Sequence, residues 1–88
     1  MKINGTFVLR EIAGDYIIVP VGESAIDFNG MITLNEIGVF IWKLLQEEHS
    51  YDEILHTILN EYDSTEDQVR KDLDDFLKQM KEANLIQR

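Results

Sequence analysis

Cysteine is absent from the 88 residues, which removes disulfides, thiolate metal sites and cysteine nucleophiles together. Cations are scarce: 8 Lys plus Arg stand against 17 Asp plus Glu, a net charge of −9 at pH 7. Such a surface repels phosphate backbones and anionic lipids, whose binding is driven by Lys and Arg. No run approaches the ~20 apolar residues that span a bilayer, and the first residues lack the basic, apolar and small-residue regions of a signal peptide. A cytoplasmic location is therefore expected, with neither nucleic acid nor membrane as partner. Hydrophobic residues make up 44% of the chain, enough for one small domain over residues 1–88 to bury a core of its own.

Proline is nearly absent too. The one proline, Pro20, cannot donate to a β-ladder and so belongs at a strand end or on a free edge. It closes the apolar run Tyr16 to Val19, which Ala13-Gly14-Asp15 separates from the strand-like Phe7 to Ile12. Together they read as a hairpin. Asn29-Gly30 is a strong two-residue hairpin signal, because both central residues of a type I′ turn need positive φ. In that register Phe28 lies opposite Met31 and Ile26 opposite Thr33, so Ile26, Phe28 and Met31 form a face that covers helices, and Asp27 shares the other face with Ile32.

Three helices follow. Thr33 and Glu36, Ser50 and Glu53, and Thr65 and Gln68 are each spaced as capping boxes, with Asn35 an equally good cap for the first helix. Ile37, Phe40, Ile41, Leu44 and Leu45 keep the helical period while Val39 and Trp42 fall off that stripe, so the first helix is apolar on almost all sides and belongs at the centre. Gly38 inside it costs up to ~1 kcal/mol against Ala, offset if another backbone crosses closely. The second helix, about Tyr51 to Tyr62, has one stripe of Ile54, Leu55, Ile58, Leu59 and Tyr62. The third, about Glu66 to Ala83, presents Val69, Leu73, Phe76, Leu77 and Met80; Asn84 suits the left-handed closing position, and Leu85-Ile86 folds back. The expected fold is α+β: a small winged helix-turn-helix, with an antiparallel sheet of three to four short strands over about 7–34 and three helices over about 35–83.

Little in this pattern carries catalysis. The pairs Glu47-Glu48, Asp52-Glu53 and Asp74-Asp75 point ~100° apart on a helix and read as solvated faces. There is no HExxH, Walker A loop or GxSxG elbow. His49 sits at a helix end whose partial negative charge favours an imidazolium, His56 lies near the core stripe, and Trp42 reads as packing rather than a stacking platform. No catalytic residue, metal or cofactor is expected. A helix-turn-helix is also a DNA-reading shape, yet Glu66 to Glu82 holds six acids against four bases and the second helix has no Lys or Arg. Its groove suits a peptide better than a phosphate backbone.

Several segments together carry a resemblance. The strand Tyr16-Ile17-Ile18-Val19, the turn at Asn29-Gly30, the start Leu34-Asn35-Glu36 and the body Ile41-Trp42-x-Leu44-Leu45 resemble the pyrroloquinoline quinone synthesis protein D (PqqD) family. The helix from Ser50, the pattern Val69-x-x-Asp72-Leu73-x-x-Phe76-Leu77 and the closing Asn84-Leu85-Ile86 continue it. The resemblance implies a non-catalytic peptide chaperone. Such a protein binds the leader of a ribosomally synthesised precursor peptide and presents the precursor to a modifying enzyme, often a radical S-adenosylmethionine (SAM) enzyme.

It also implies where the leader goes: onto the sheet edge beside the third helix, as an added strand. Carried onto this sequence, the edge is Ala25, Ile26, Asp27 and Phe28 and the helix wall is Gln68, Val69, Asp72, Leu73 and Phe76. Ile26, Phe28, Val69 and Phe76 would line apolar pockets, and Asp27 and Asp72 would meet basic or amide groups. The Asn29-Gly30 hairpin departs from the simplest family pattern and offers two halves for the free edge, Ala25 to Phe28 and Met31 to Leu34. An open edge also permits weak self-pairing, so a monomer or weak homodimer is expected. The alternative function on this fold is a transcriptional regulator or a protein-interaction adaptor.

Overall fold

The computed structural model describes residues 1–23 and 31–86. They form an α+β fold in which three antiparallel strands, β1 (Phe7–Ile12), β2 (Asp15–Pro20) and β3 (Ile32–Leu34), precede three helices, α1 (Glu36–Leu44), α2 (Tyr51–Glu61) and α3 (Glu66–Glu82). The sheet order is β1-β2-β3. The expected first half of the second hairpin, Ala25 to Phe28, and its turn at Asn29-Gly30 lie outside the described residues.

The β1–β2 register ends at Ile12 opposite Asp15, leaving Ala13-Gly14 as a two-residue turn with φ of 54° and 87°. Positive φ at both positions matches the twist of the flanking strands. Gly14 adopts it freely, whereas the Ala13 side chain crowds its own backbone there. Pro20 is the last residue of β2, and the ladder continues past it through the Val21 N–H, which donates to the Thr6 carbonyl at 3.0 Å.

Register places Leu9, Ile18 and Ile32 in one cross-strand row and Glu11, Tyr16 and Leu34 in the next. Ile18, Ile32 and Leu34 are buried, while Thr33 between them is exposed. This corrects the expected facing of the third strand. Met31 is 67% exposed, and Ile32, assigned to the outer face with Asp27, points into the core. The run Met31 to Leu34 contains an apolar residue on each face, so burial against α1 decides between them, not the local pattern.

The first helix is central, as its all-round apolarity requires. It packs on β3 and α3; Trp42 meets Phe7 of β1 edge-to-face at 5.6 Å, and Phe40 meets Tyr62 at the end of α2 in the same way at 5.3 Å. Around it lie Ile54, Leu55 and Ile58 of α2 and Val69, Leu73, Phe76, Leu77 and Met80 of α3. Asn35, not Thr33, caps α1, its Oδ1 accepting the Gly38 N–H at 2.7 Å. A Cβ at position 38 would lie 3.1 Å from that Oδ1 and 3.4 Å from the Leu34 Cβ. The cap, rather than a crossing backbone, is what favours glycine there.

Ser50 and Glu53 form a complete capping box on α2. Thr65 caps α3, but the Gln68 amide donates to Asp72 at 3.0 Å instead of returning to the cap. At the other end of α3, Asn84 has φ of 61°. Its N–H reaches the Lys81 carbonyl and that of Leu85 reaches Met80, the paired bonds of a Schellman closure. Leu85 and Ile86 then fold back into the core, and Ile86 bridges to Ile3.

Both histidines differ from expectation. His56 is exposed. His49 follows the end of α1 by five residues and directly precedes the cap of α2, so it faces the positive end of a helix, with Nδ1 3.6 Å from Glu53.

Two outcomes follow for stability. Ala13→Asn, which supplies the Asn-Gly pair this turn prefers, should raise the urea midpoint by an amount worth up to ~1 kcal/mol. The Ser50 backbone N–H, 2.8 Å from Glu53, is the main cause holding that carboxyl below its ordinary value, with the charge of His49 adding to it. A depressed folded value stabilises α2 above the unfolded carboxyl range and is lost as pH falls through the folded value. Thermal melts at pH 7 and pH 3 should therefore show Glu53→Gln less stable than the parent at pH 7, with the difference closing in acid.

Candidate functional site

Strand β3 runs into α1 through the single residue Asn35, and α3 crosses beside both. Between them lies a groove of about 160 Å³, with Thr33, Leu34, Asn35, Ile37 and Gly38 on one side and Asp72, Asp75, Phe76 and Gln79 on the other. The four α3 positions are spaced i, i+3, i+4 and i+7, one face of a helix. Leu34 and Phe76, each 5% exposed, give the groove an apolar floor. Asp72 and Asp75 give it an acidic lip.

These carboxylates are held from their own helix. Gln68 Nε2 donates to Asp72 Oδ1 at 3.0 Å, and Lys71 Nζ donates to Asp75 Oδ2 at 2.9 Å. The hydrogen bond to Asp75, followed by the charges of Asp75 and Asp72, raises the Lys71 ammonium above its ordinary value. Asp75 and Lys71 are both well exposed, so the pair contributes little to stability and yields readily to a ligand. On the far side of α3, Asp74 accepts from the Tyr51 hydroxyl at 2.7 Å, and Arg70 lies 5.8 Å from the Tyr51 ring centroid. Burial first, then Asp74, pushes the Tyr51 phenol up. This cluster ties α2 to α3 and leaves the groove face of α3 free of it.

The structure thus brings Asp72 and Phe76 into the groove and sets Gln68 beside them. Val69 and Leu73, 2% and 0% exposed, lie in the core and are not among the groove-lining residues. Ala25, Ile26, Asp27 and Phe28 lie outside the described residues. On the strand side, the lining residues come from the end of the Met31 to Leu34 half, with the α1 cap. Asp75 and Gln79 were within reach of the sequence, since they continue the helical face that carries Asp72 and Phe76. Asn35 and Gly38 were visible only as a cap and a packing glycine.

Among the described residues no group of three or more His, Asp or Glu is arranged to hold a metal ion, and no helix is long and apolar enough to cross a membrane.

Residues 15–86 match the family model described as coenzyme PQQ synthesis protein D (PqqD). The chain belongs to the PqqD family. A solved structure of another protein, TbiB1 in complex with the TbiA(beta) leader peptide, is similar to it with a TM-score of 0.70 and 28% sequence identity, covering 97% of this chain and 93% of that one. No curated protein sequence matches it. The PqqD match begins at β2 and ends at the Schellman closure, so it includes β3, α1 and α3, the elements that build the groove.

Groove and core residues of α3 should separate cleanly in urea denaturation. Leu73→Ala should cost about 2–5 kcal/mol, whereas Asp72→Ala should stay within about 0.5 kcal/mol of the parent.

Proposed function

We propose that this chain binds the leader segment of a ribosomally synthesised precursor peptide and presents the precursor to a modifying enzyme, such as a radical SAM enzyme. It acts as a binding partner and performs no chemistry itself. The observation that carries this reading is the likeness over 97% of the chain to TbiB1, which was solved with a leader peptide. The groove between β3 and α3 supplies the physical means.

The leader adds to the edge of β3, where an extended peptide gains backbone hydrogen bonds. Side chains alternate along a strand, so every second one faces α3. Those side chains rest on Leu34 and Phe76, and their polar neighbours meet Asp72. Val69 and Leu73 act from behind, holding Phe76 at the groove floor, and Gln68 orients Asp72. Ala25, Ile26, Asp27 and Phe28 complete the proposed contact on the chain's approach to β3. The protein works in the cytoplasm as a monomer, and any self-pairing through the edge is weak.

A fluorescently labelled leader peptide, with the TbiA(beta) leader as the first probe, provides the test by anisotropy. Asp72→Ala should weaken binding at least about tenfold, as for a lost charge-assisted hydrogen bond. Phe76→Leu, which keeps the core filled, should weaken it less, and Asn60→Ala on exposed α2 should leave it unchanged. Equal affinities for Asp72→Ala, Phe76→Leu and the parent would refute the site.

A further inference from the structure

Helix α1 has a second concave face. Successive residues turn by about 100°, so Glu36, Val39, Phe40 and Lys43 point away from the side on which Ile37 and Gly38 line the groove. With Tyr16 of β2 and Tyr62 at the end of α2 they enclose a cleft of about 230 Å³. Phe40 and Tyr62 stand at 90° with centroids 5.3 Å apart, two walls of an aromatic corner. All three aromatic side chains are half-buried, leaving ring surface open to a ligand.

Residues 36–63 supply five of the six residues that line this cleft and carry most of the net charge, although Glu36 is the one acid in the lining, Lys43 lies there with it, and Glu48 and Glu53 face a separate pocket beside Met1. Residues 36–63 contain Glu36, Glu47, Glu48, Asp52, Glu53, Glu61 and Asp63 against Lys43. Seven acids and one base make −6 of the chain's −9, on less than a third of its length. Two of these carboxylates act on the cleft itself. Burial first, then Glu36 and Glu61, pushes the Tyr62 phenol up.

Aromatic faces beside carboxylates suit a cation, and a guanidinium best, because it stacks on rings and forks onto carboxylates at once. Phosphate-bearing partners are repelled. A second copy of this chain brings the same −9 and is repelled as well. A basic protein surface is attracted.

We propose that the cleft of Tyr16, Phe40 and Tyr62 is a second docking surface, which takes an arginine side chain from a basic patch on a folded protein partner. Because it opens on the opposite face of α1 from the groove, partner and peptide bind together. That this partner is the modifying enzyme rests on the function proposed above; the cleft's preference for arginine does not.

The test uses a capped Gly-Arg-Gly peptide and its citrulline counterpart, titrated into the isotopically labelled full chain by NMR without leader. Shifts should concentrate at Tyr16, Glu36, Phe40 and Tyr62 for the arginine peptide and be absent for citrulline. Tyr62→Leu should weaken binding about fivefold. Lys43→Glu, an exposed change that leaves the core untouched, should strengthen it about twofold to threefold. Shifts spread along α3, or affinities unmoved by both substitutions, would overturn the proposal. A leader titration of the same two variants, expected to match the parent, distinguishes a failure of the cleft from a failure of the groove.

Discussion

One residue joins the sheet to the helices on the side of the groove. Leu34 ends β3, Glu36 begins α1, and Asn35 alone lies between them, its side chain closing the helix start on the Gly38 N–H. A junction this short leaves the strand no freedom to slide or rotate relative to the helix. Because α1 is also packed against α3, the strand edge is held at a set distance from the face that carries Asp72, Asp75, Phe76 and Gln79. The absence of a side chain at Gly38 serves this arrangement, since a Cβ there would press on the cap and on Leu34. Groove and core therefore depend on the same few atoms.

Burial of α1 on nearly every side has a second consequence. Ile37 and Gly38 line the groove, while Glu36, Phe40 and Lys43 turn the other way toward the aromatic cleft. The charges at groove and cleft are arranged differently. Asp72 and Asp75 at the groove are held by Gln68 and Lys71, whereas Glu36 and Lys43 line the cleft and Glu61 acts on Tyr62 beside it. The groove and the cleft thus lie back to back across one helix. The proposed docking of a basic partner would give a use to the charge that sets the protein apart from phosphate-binding helix-turn-helix domains.

Features governed by local chemistry were legible in the sequence. The stripe of α3 showed which residues are buried, and that of α2 found Ile54, Leu55 and Ile58 but also took in the half-buried Leu59 and Tyr62; the left-handed Asn84 was readable from its place after the last turn, and the Ala13-Gly14 turn fell where the two strands needed it. Features governed by competition between distant elements were not. Met31 and Ile32 are both apolar, and only the position of α1 beneath the sheet puts Ile32 inside and Met31 out. Thr33 and Asn35 both had capping chemistry; Thr33 lost because β3 extends through it. His49 was assigned to the wrong helix terminus because α1 stops at Leu44. Of the α3 residues that line the groove, Asp72 and Phe76 were named through family resemblance, while Asp75 and Gln79 required following the same helical face further. Val69 and Leu73 share the apolar pattern of Phe76, and packing alone separates core from groove floor.

The proposed function makes a leader peptide an added strand at the edge of β3. Amide hydrogen exchange of the full chain, with and without saturating leader, tests it most directly. Strand addition should give slowed exchange for the β3 amides that do not face β2, alternating protection along the leader backbone, and nuclear Overhauser contacts between leader side chains and Phe76. Protection confined to α2, or a leader that binds as a helix with β3 exchange unchanged, would contradict it.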